Sequence, residues 1–184
     1  MYYKNYILIL ITLFMFSIFQ KVSANYEKLF FDLSIKDINN ETIDLNRYKG
    51  RTILLVNVAS KCGFTKQYAD LQTLFDNYKD RGFSVIAVPS NQFGNQEQGT
   101  NKEIKDFCET NFNITFPITD KVDVKGPNAH DIYQWANKNY GSSTIPKWNF
   151  HKILINKDGK IEDTFNSFIN PTSKKIIKKI EKIL

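Results

Sequence analysis

TILLVNVASKCGFTKQYADLQTLFDNYKDRGFSVIAV, residues 52–88, is the stretch that decides the fold. Its first eight residues form a near-continuous apolar run rich in branched side chains, the pattern of a strand buried on both faces of a parallel sheet. After Cys62-Gly63 the apolar period changes. Tyr68, Leu71, Leu74, Phe75 and Tyr78 recur at spacings of three and four, which predicts an amphipathic helix. Gly82 ends it. Residues 83–88 are a second buried strand, stopped by Pro89. Strand, helix, strand in this order is a βαβ unit with a right-handed crossover, so the chain is read as α/β.

Outward from this unit the signals are more local. Leu29, Phe31, Leu33 and Ile35 alternate as one face of a strand, Asn39-Asn40 supplies a turn and residues 42–45 return, which predicts an N-terminal β-hairpin. Beyond Pro89 lies a polar loop, residues 90–99. Thr100 and Glu103 have capping-box spacing, and Ile104, Phe107, Cys108 and Phe112 give the helix they open its apolar side. Residues 116–118 read as a short strand and residues 128–139 as a helix carrying Ile132 and Trp135. Residues 151–156 and 160–165 flank Asp158-Gly159, a strong hairpin signal. Pro171 opens a last helix with an Ile176, Ile177, Ile180, Ile183 and Leu184 stripe. The lysines at 174, 175, 178, 179 and 182 are its solvated face. There is no internal repeat and no linker, so residues 25–184 are one domain.

Residues 1–24 stand apart. Positions 5–20 carry no charge, Lys4 and Lys21 flank them, and the apolar stretch 6–19 is 14 residues long. A membrane-spanning helix needs about 20. Val22-Ser23-Ala24 then offers small side chains for cleavage, the layout of a secretory signal peptide. An uncleaved anchor is the alternative reading. Secretory-route entry, possibly to an organelle reached that way, follows from the first reading. A cytoplasmic form started at Met15 is the alternative.

Composition narrows the class. With 184 residues, 42% hydrophobic and 24% charged, the chain is neither disordered, collagen-like nor a polytopic membrane protein. Two cysteines are too few for a disulfide-dense scaffold or an all-cysteine zinc site, and His130 and His151 lie far apart. Both histidines are read as structural or exposed. The net charge of +6 drops to +4 without Lys4 and Lys21, too little to argue for nucleic acid.

Cys62 is the most informative residue. It follows the carboxyl end of a buried strand, where open α/β sheets place ligands, and it precedes a helix, whose N-terminal N–H groups favour a thiolate. Gly63 leaves approach unobstructed, and Lys61 reads as exposed filler. The competing reading is a packing cysteine. Cys108, taken alone, is an inert buried cysteine. As the only other thiol it is a candidate resolving partner, or one half of a permanent structural disulfide. Helices start near both cysteines, so a disulfide between them requires local unwinding around Cys108. Gln92, Gln96 and Gln98 lie in the loop after the second strand, and Trp148-Asn149 lies just before the strand near His151. Taken alone, each is a loop residue. Strand-end loops on one sheet face can also converge, and Gln, Asn and indole N–H groups are all donors that favour charged sulfur. Asn40-Glu41-Thr42 and Asn113-Ile114-Thr115 match the glycosylation pattern.

NVASKCGFT at 57–65, NQFGNQEQG at 91–99 and KWNF at 147–150 resemble the three signature blocks of the glutathione peroxidase family, over essentially the whole chain from about Phe30. The resemblance implies a thioredoxin-like fold, a central mixed sheet flanked by helices. It also implies a catalytic tetrad at Cys62, Gln96, Trp148 and Asn149, with hydroperoxides as substrates and no metal or organic cofactor. Some animal members carry selenocysteine where Cys62 stands. FCETNFNITFPI at 107–118 resembles the block that carries the resolving cysteine of the thiol-dependent branch, which points to Cys108 and to thioredoxin as reductant, with glutathione the alternative. A cysteine often seen before NQF is Ser90 here. The short stretch between His130 and Trp148 lacks the insertion of tetrameric members and implies a monomer. Arg47, Arg51 and Arg81 form no cluster that would hold glutathione. Two rivals stand beside this reading: a non-catalytic binding module with a structural disulfide, and a dithiol oxidoreductase, for which the chain lacks a C-x-x-C.

Overall fold

The computed structural model describes residues 26–184; the expected signal segment lies outside the described residues. Among the described residues no helix is long and apolar enough to cross a membrane. The chain forms β1 (Ser34–Lys36), β2 (Thr42–Asp44), β3 (Thr52–Val58), α1 (Gln67–Tyr78), β4 (Phe83–Pro89), α2 (Asn101–Phe112), α3 (Asp131–Tyr140), β5 (Lys152–Ile155), β6 (Ile161–Phe165) and α4 (Lys174–Ile183).

The βαβ unit is β3–α1–β4, and its two strands pair in parallel over their whole length, Thr52 against Phe83 through Val58 against Pro89. β5 joins the other edge of β3 antiparallel, and β6 pairs antiparallel with β5. The sheet order is therefore β4-β3-β5-β6, a mixed sheet, with β1 and β2 forming a separate antiparallel hairpin. Every residue of β3 and β4 is buried because both sheet faces are covered. Leu54, Val56 and Val58 point to a layer built by Leu71 and Leu74 of α1, Ile104 of α2 and Ile176 and Ile180 of α4. Ile53 and Leu55 point the other way, to Ile132, Trp135 and Ala136 of α3 and to Ile35 and Ile43 of the hairpin. The period of two along one strand thus sorts the helices into two layers.

Local chemistry sets the boundaries. Gly82 terminates the first helical segment at φ 86°, in the left-handed region glycine tolerates. Thr100 accepts the Glu103 N–H while the Glu103 carboxylate accepts the Thr100 N–H, the reciprocal cap expected from their spacing. His130 caps α3 by accepting the Ile132 N–H at Nδ1. The alternation expected from Leu29 to Ile35 is broken. Phe30–Asp32 is a 3₁₀ turn and the strand begins only at Ser34. Consecutive rings, Phe30 and Phe31, are both buried in one cluster, which alternating strand side chains cannot achieve. The Asp32 carboxylate closes the turn on the Leu29 N–H at 2.8 Å. Of residues 116–118 only Ile118 makes a bridge, with Ala87, and the following Thr119 bridges Asp37; Pro117 has no N–H for a ladder.

Asn156 and Gly159 shape the β5–β6 turn beneath these rings. Gly159 has φ 74°, and a Cβ there would lie 2.9 Å from Cδ2 of Phe31 and 3.1 Å from Cβ of Leu29. Gly126, at φ 83°, has open space around the same position. Gly126→Ala should cost about 1 kcal/mol for conformation alone. Gly159→Ala should cost more, about 2–4 kcal/mol, because backbone strain and overpacking combine. Urea midpoints of the two variants check this ordering.

Candidate active site

At the carboxyl end of β3 the chain makes a tight loop before α1 begins. Thr65 organises it. Its Oγ1 accepts the Cys62 N–H at 3.0 Å and donates to the Ala59 carbonyl at 2.9 Å, and its own N–H donates to the Cys62 carbonyl. Cys62 lies five residues before the first residue of α1, so the expected helix start beside it is displaced by this loop. The sulfur receives the Phe64 N–H at 3.4 Å, which sets the positive end of a backbone dipole against it. Cys62 is 9% exposed and remains a free thiol. Gly63 is exposed, and a Cβ there would meet nothing within 4 Å.

The loop after β4 folds over this one. Lys61 N–H donates to the Gln96 carbonyl at 3.0 Å, and Ser60 N–H donates to the Glu97 carboxylate at 2.8 Å. Glu97 is buried, which pushes its carboxyl up, against the opposing pull of the Ser60 hydrogen bond and of Lys121 and Lys61. Its N–H in turn donates to Asn91 Oδ1. Gly94 and Asn95 both take positive φ, 66° and 52°, and so turn the chain back sharply just before Gln96.

The third segment arrives from the far end of the chain. Asn149 Nδ2 donates to Gln96 Oε1 at 2.9 Å, with Asn149 fully buried and its Oδ1 without a partner. Trp148 is 40% exposed, its ring 5.9 Å from that of Phe93. Asn57, inside β3, fastens this segment. Its Nδ2 donates to the Trp148 carbonyl, its Oδ1 accepts the His151 N–H, and its own carbonyl accepts the Phe150 N–H. Phe150 has φ 62°, a costly conformation for a bulky residue, and its ring is buried edge-on to Tyr68. This turn sends Phe150 into the core and Asn149 to Gln96.

Of the residues singled out from sequence, Cys62, Gln96 and Asn149 are thus joined through the loops that carry them, and Trp148 flanks Asn149. Gln92 is elsewhere. Its amide is consumed by the backbone of Val124 and Lys125. Gln98 is exposed. Cys108 is a second free thiol, 0% exposed, in the second half of α2 rather than near its start. Burial pushes its thiol up to about 11. Sequence reasoning missed Asn57, Thr65 and Glu97. A polar residue inside an otherwise apolar strand was the available signal for Asn57.

A sequence model described as glutathione peroxidase matches residues 30–137, more than half of the chain. The glutathione peroxidase-like peroxiredoxin 2 of Saccharomyces cerevisiae is 43% identical over 148 residues, covering 78% of this chain and 91% of that protein. The chain belongs to the glutathione peroxidase family. Its activity is that family's, a peroxidase that reduces hydroperoxides with electrons from thiols. A second relative, phospholipid hydroperoxide glutathione peroxidase 1, chloroplastic, of Arabidopsis thaliana, is 45% identical over 88% of this chain and 69% of its own length. The crystal structure of T. cruzi GPX1 superposes with a TM-score of 0.66 at 31% identity, covering 85% of this chain and 96% of the other. The thioredoxin-like fold of the family is the β3–α1–β4 unit extended by β5 and β6.

Two consequences concern the corner around Asn57 and His151. Asn57→Leu should lower stability by about 2 kcal/mol, since it strands the buried His151 N–H and removes the donor to the part-buried Trp148 carbonyl, and should lower peroxide turnover as well. Paired denaturation and activity measurements test this. Burial and the neighbouring Lys152 push His151 down to about 4. Between pH 6.5 and 4 the unfolded chain binds a proton that the folded chain refuses, so stability rises with pH there and is lost on acidification. His151→Gln should remove about 2–3 kcal/mol of that slope, read from unfolding free energies at pH 7 and pH 4.5.

Proposed function

We propose that Cys62 is the peroxidatic residue, with Gln96, Trp148 and Asn149 as its polar partners and Cys108 as the resolving thiol. The observation that carries this reading is the chain of contacts linking three distant segments: Cys62 loop to Gln96 backbone, and Gln96 side chain to Asn149. The Cys62 thiolate attacks one oxygen of the substrate O–O bond. An S–O bond forms, the O–O bond breaks, and the leaving oxygen departs as alkoxide or hydroxide and takes up a proton. The sulfur is oxidised by two electrons to sulfenic acid. Amide and indole donors stabilise the charge that moves from sulfur to the leaving oxygen, and the Phe64 N–H stabilises the sulfur beforehand.

Cys108 then attacks the sulfenic sulfur, an S–S bond forms and water leaves. In the folded helix Cys108 is fully covered and held as a thiol by burial. The step therefore requires the second half of α2 to open. A dithiol protein of the thioredoxin type returns the disulfide to two thiols by exchange. The arginines support a protein reductant over glutathione. Arg51 is committed to the Lys79 and Phe83 carbonyls at the opposite end of β3, and Arg47 and Arg81 lie over Tyr48 and Tyr78. The protein acts as a monomer. Residues 1–24 direct it into the secretory route and to an organelle reached that way; the Arabidopsis relative is itself an organelle protein by name.

Cys62→Ser should abolish peroxide consumption with the fold intact by circular dichroism. Cys108→Ser should keep the first oxidation and lose turnover with thioredoxin. Equal turnover with glutathione in both wild type and Cys108→Ser would establish the glutathione-dependent alternative. Hydrogen exchange should show α2 amides losing protection on oxidation, and unchanged protection would overturn the Cys62–Cys108 pairing.

A further inference from the structure

Four large apolar side chains among the described residues are exposed, and Phe168 at 81% is twice as exposed as Tyr140, Trp148 or Ile145. It sits in the loop between β6 and α4. That loop is anchored on both sides of Phe168. Ser167 O accepts from Gln67 Nε2 at 2.7 Å, and Ile169 O accepts from Lys152 Nζ at 2.6 Å. Lys152 Nζ also donates to Gln67 Oε1 at 2.6 Å, which joins the two anchors. Lys152 is 0% exposed and forms no ion pair among the described residues; the nearby Asp70 carboxylate is taken by Asn170 and Thr172. Desolvation pushes the Lys152 amine down to about 7. A buried amine without a carboxylate is an unfavourable element, and its hydrogen bonds here go to holding this loop. Asn166 adds two more bonds, from the Phe168 N–H to its Oδ1 and from the Ile169 N–H to its carbonyl.

The ring so held meets Phe64 edge to face, centroids 5.2 Å apart. Phe64 is the residue whose N–H donates to the Cys62 sulfur. An apolar rim thus stands within two residues of the nucleophile. We infer that Phe64 and Phe168 receive the carbon chain of an organic hydroperoxide while its O–O group reaches Cys62, so that Phe168 sets the preference for acyl hydroperoxides over hydrogen peroxide. This rests on the peroxidase reading above. Hydrogen peroxide has no apolar part and gains nothing from the rim, whereas an alkyl chain loses water on contact with it. Two aromatic side chains offer at most about 300–500 Å², whereas a stable protein partner covers roughly 800 Å² per side.

The test uses the full chain and two variants, Phe168→Ser and Phe168→Leu. Second-order rates of Cys62 oxidation are measured by rapid quench and mass spectrometry. Hydrogen peroxide and linoleic acid hydroperoxide below its micelle concentration are the oxidants. Phe168→Ser should slow oxidation by the fatty acid hydroperoxide about tenfold, equivalent to about 1.4 kcal/mol, and leave the hydrogen peroxide rate within twofold. Phe168→Leu should recover most of the loss. Equal slowing with both oxidants, or no slowing with either, overturns the inference while leaving the peroxidase reading intact. Unchanged oxidation with slower re-reduction by thioredoxin also overturns it and assigns the rim to the reductant. A wild-type chain in which hydrogen peroxide leaves Cys62 unoxidised defeats the peroxidase reading itself, and the inference falls with it.

Discussion

The site depends on how the chain leaves β3. Beyond Val58 the backbone has left the sheet ladder, and its partly buried N–H groups need partners. Two of them find partners in the loop after β4: Ser60 in the buried Glu97 carboxylate and Lys61 in the Gln96 carbonyl. Leaving either group unpaired would cost more than the bond itself contributes. The two loops are consequently locked in one relative position. That lock delivers the Gln96 side chain to Asn149.

A second constraint works from the opposite side. Asn57 is a polar residue in the middle of a buried strand, and it is tolerated because all its polar groups are engaged by residues 148–151. The positive φ of Phe150 is an unfavourable conformation offset by burial of its ring and by the Asn57 bonds. The price of that strained corner is a fixed position for Asn149. In the proposed cycle the two thiols are unequal for the same kind of reason. Cys62 lies on the loop at the carboxyl end of β3 with a small opening to solvent, while Cys108, on α2, is sealed in the core, so oxidants meet Cys62 first.

Much of the architecture was legible because its causes are local. The buried runs at 52–59 and 83–88, the stop at Gly82, the Thr100–Glu103 box and the Asp158-Gly159 turn each act within a few residues, and each stands where its chemistry puts it. The strand expected from Leu29 was lost because both Phe30 and Phe31 are drawn into a core formed by distant residues. Lys152 is harder still. A lysine at the start of a hairpin strand is ordinarily solvent-facing, yet Gln67 and Ile169, distant in sequence, supply the acceptors that allow its burial. Phe168 reads as an ordinary apolar loop residue until its exposure is known.

The order of residues alone determined the α/β class, the burial of the strands at 52–59 and 83–88 and the singling out of Cys62, because periodicity and strand-end position are properties of short segments. Only the tertiary structure decided which glutamine reaches Asn149, that Asn57 and Glu97 hold the corner, that Cys108 is sealed, and that Phe168 stands beside Phe64. Those outcomes depend on contacts between groups far apart in sequence, hydrogen bonds and packing alike, and no local pattern encodes which groups will meet.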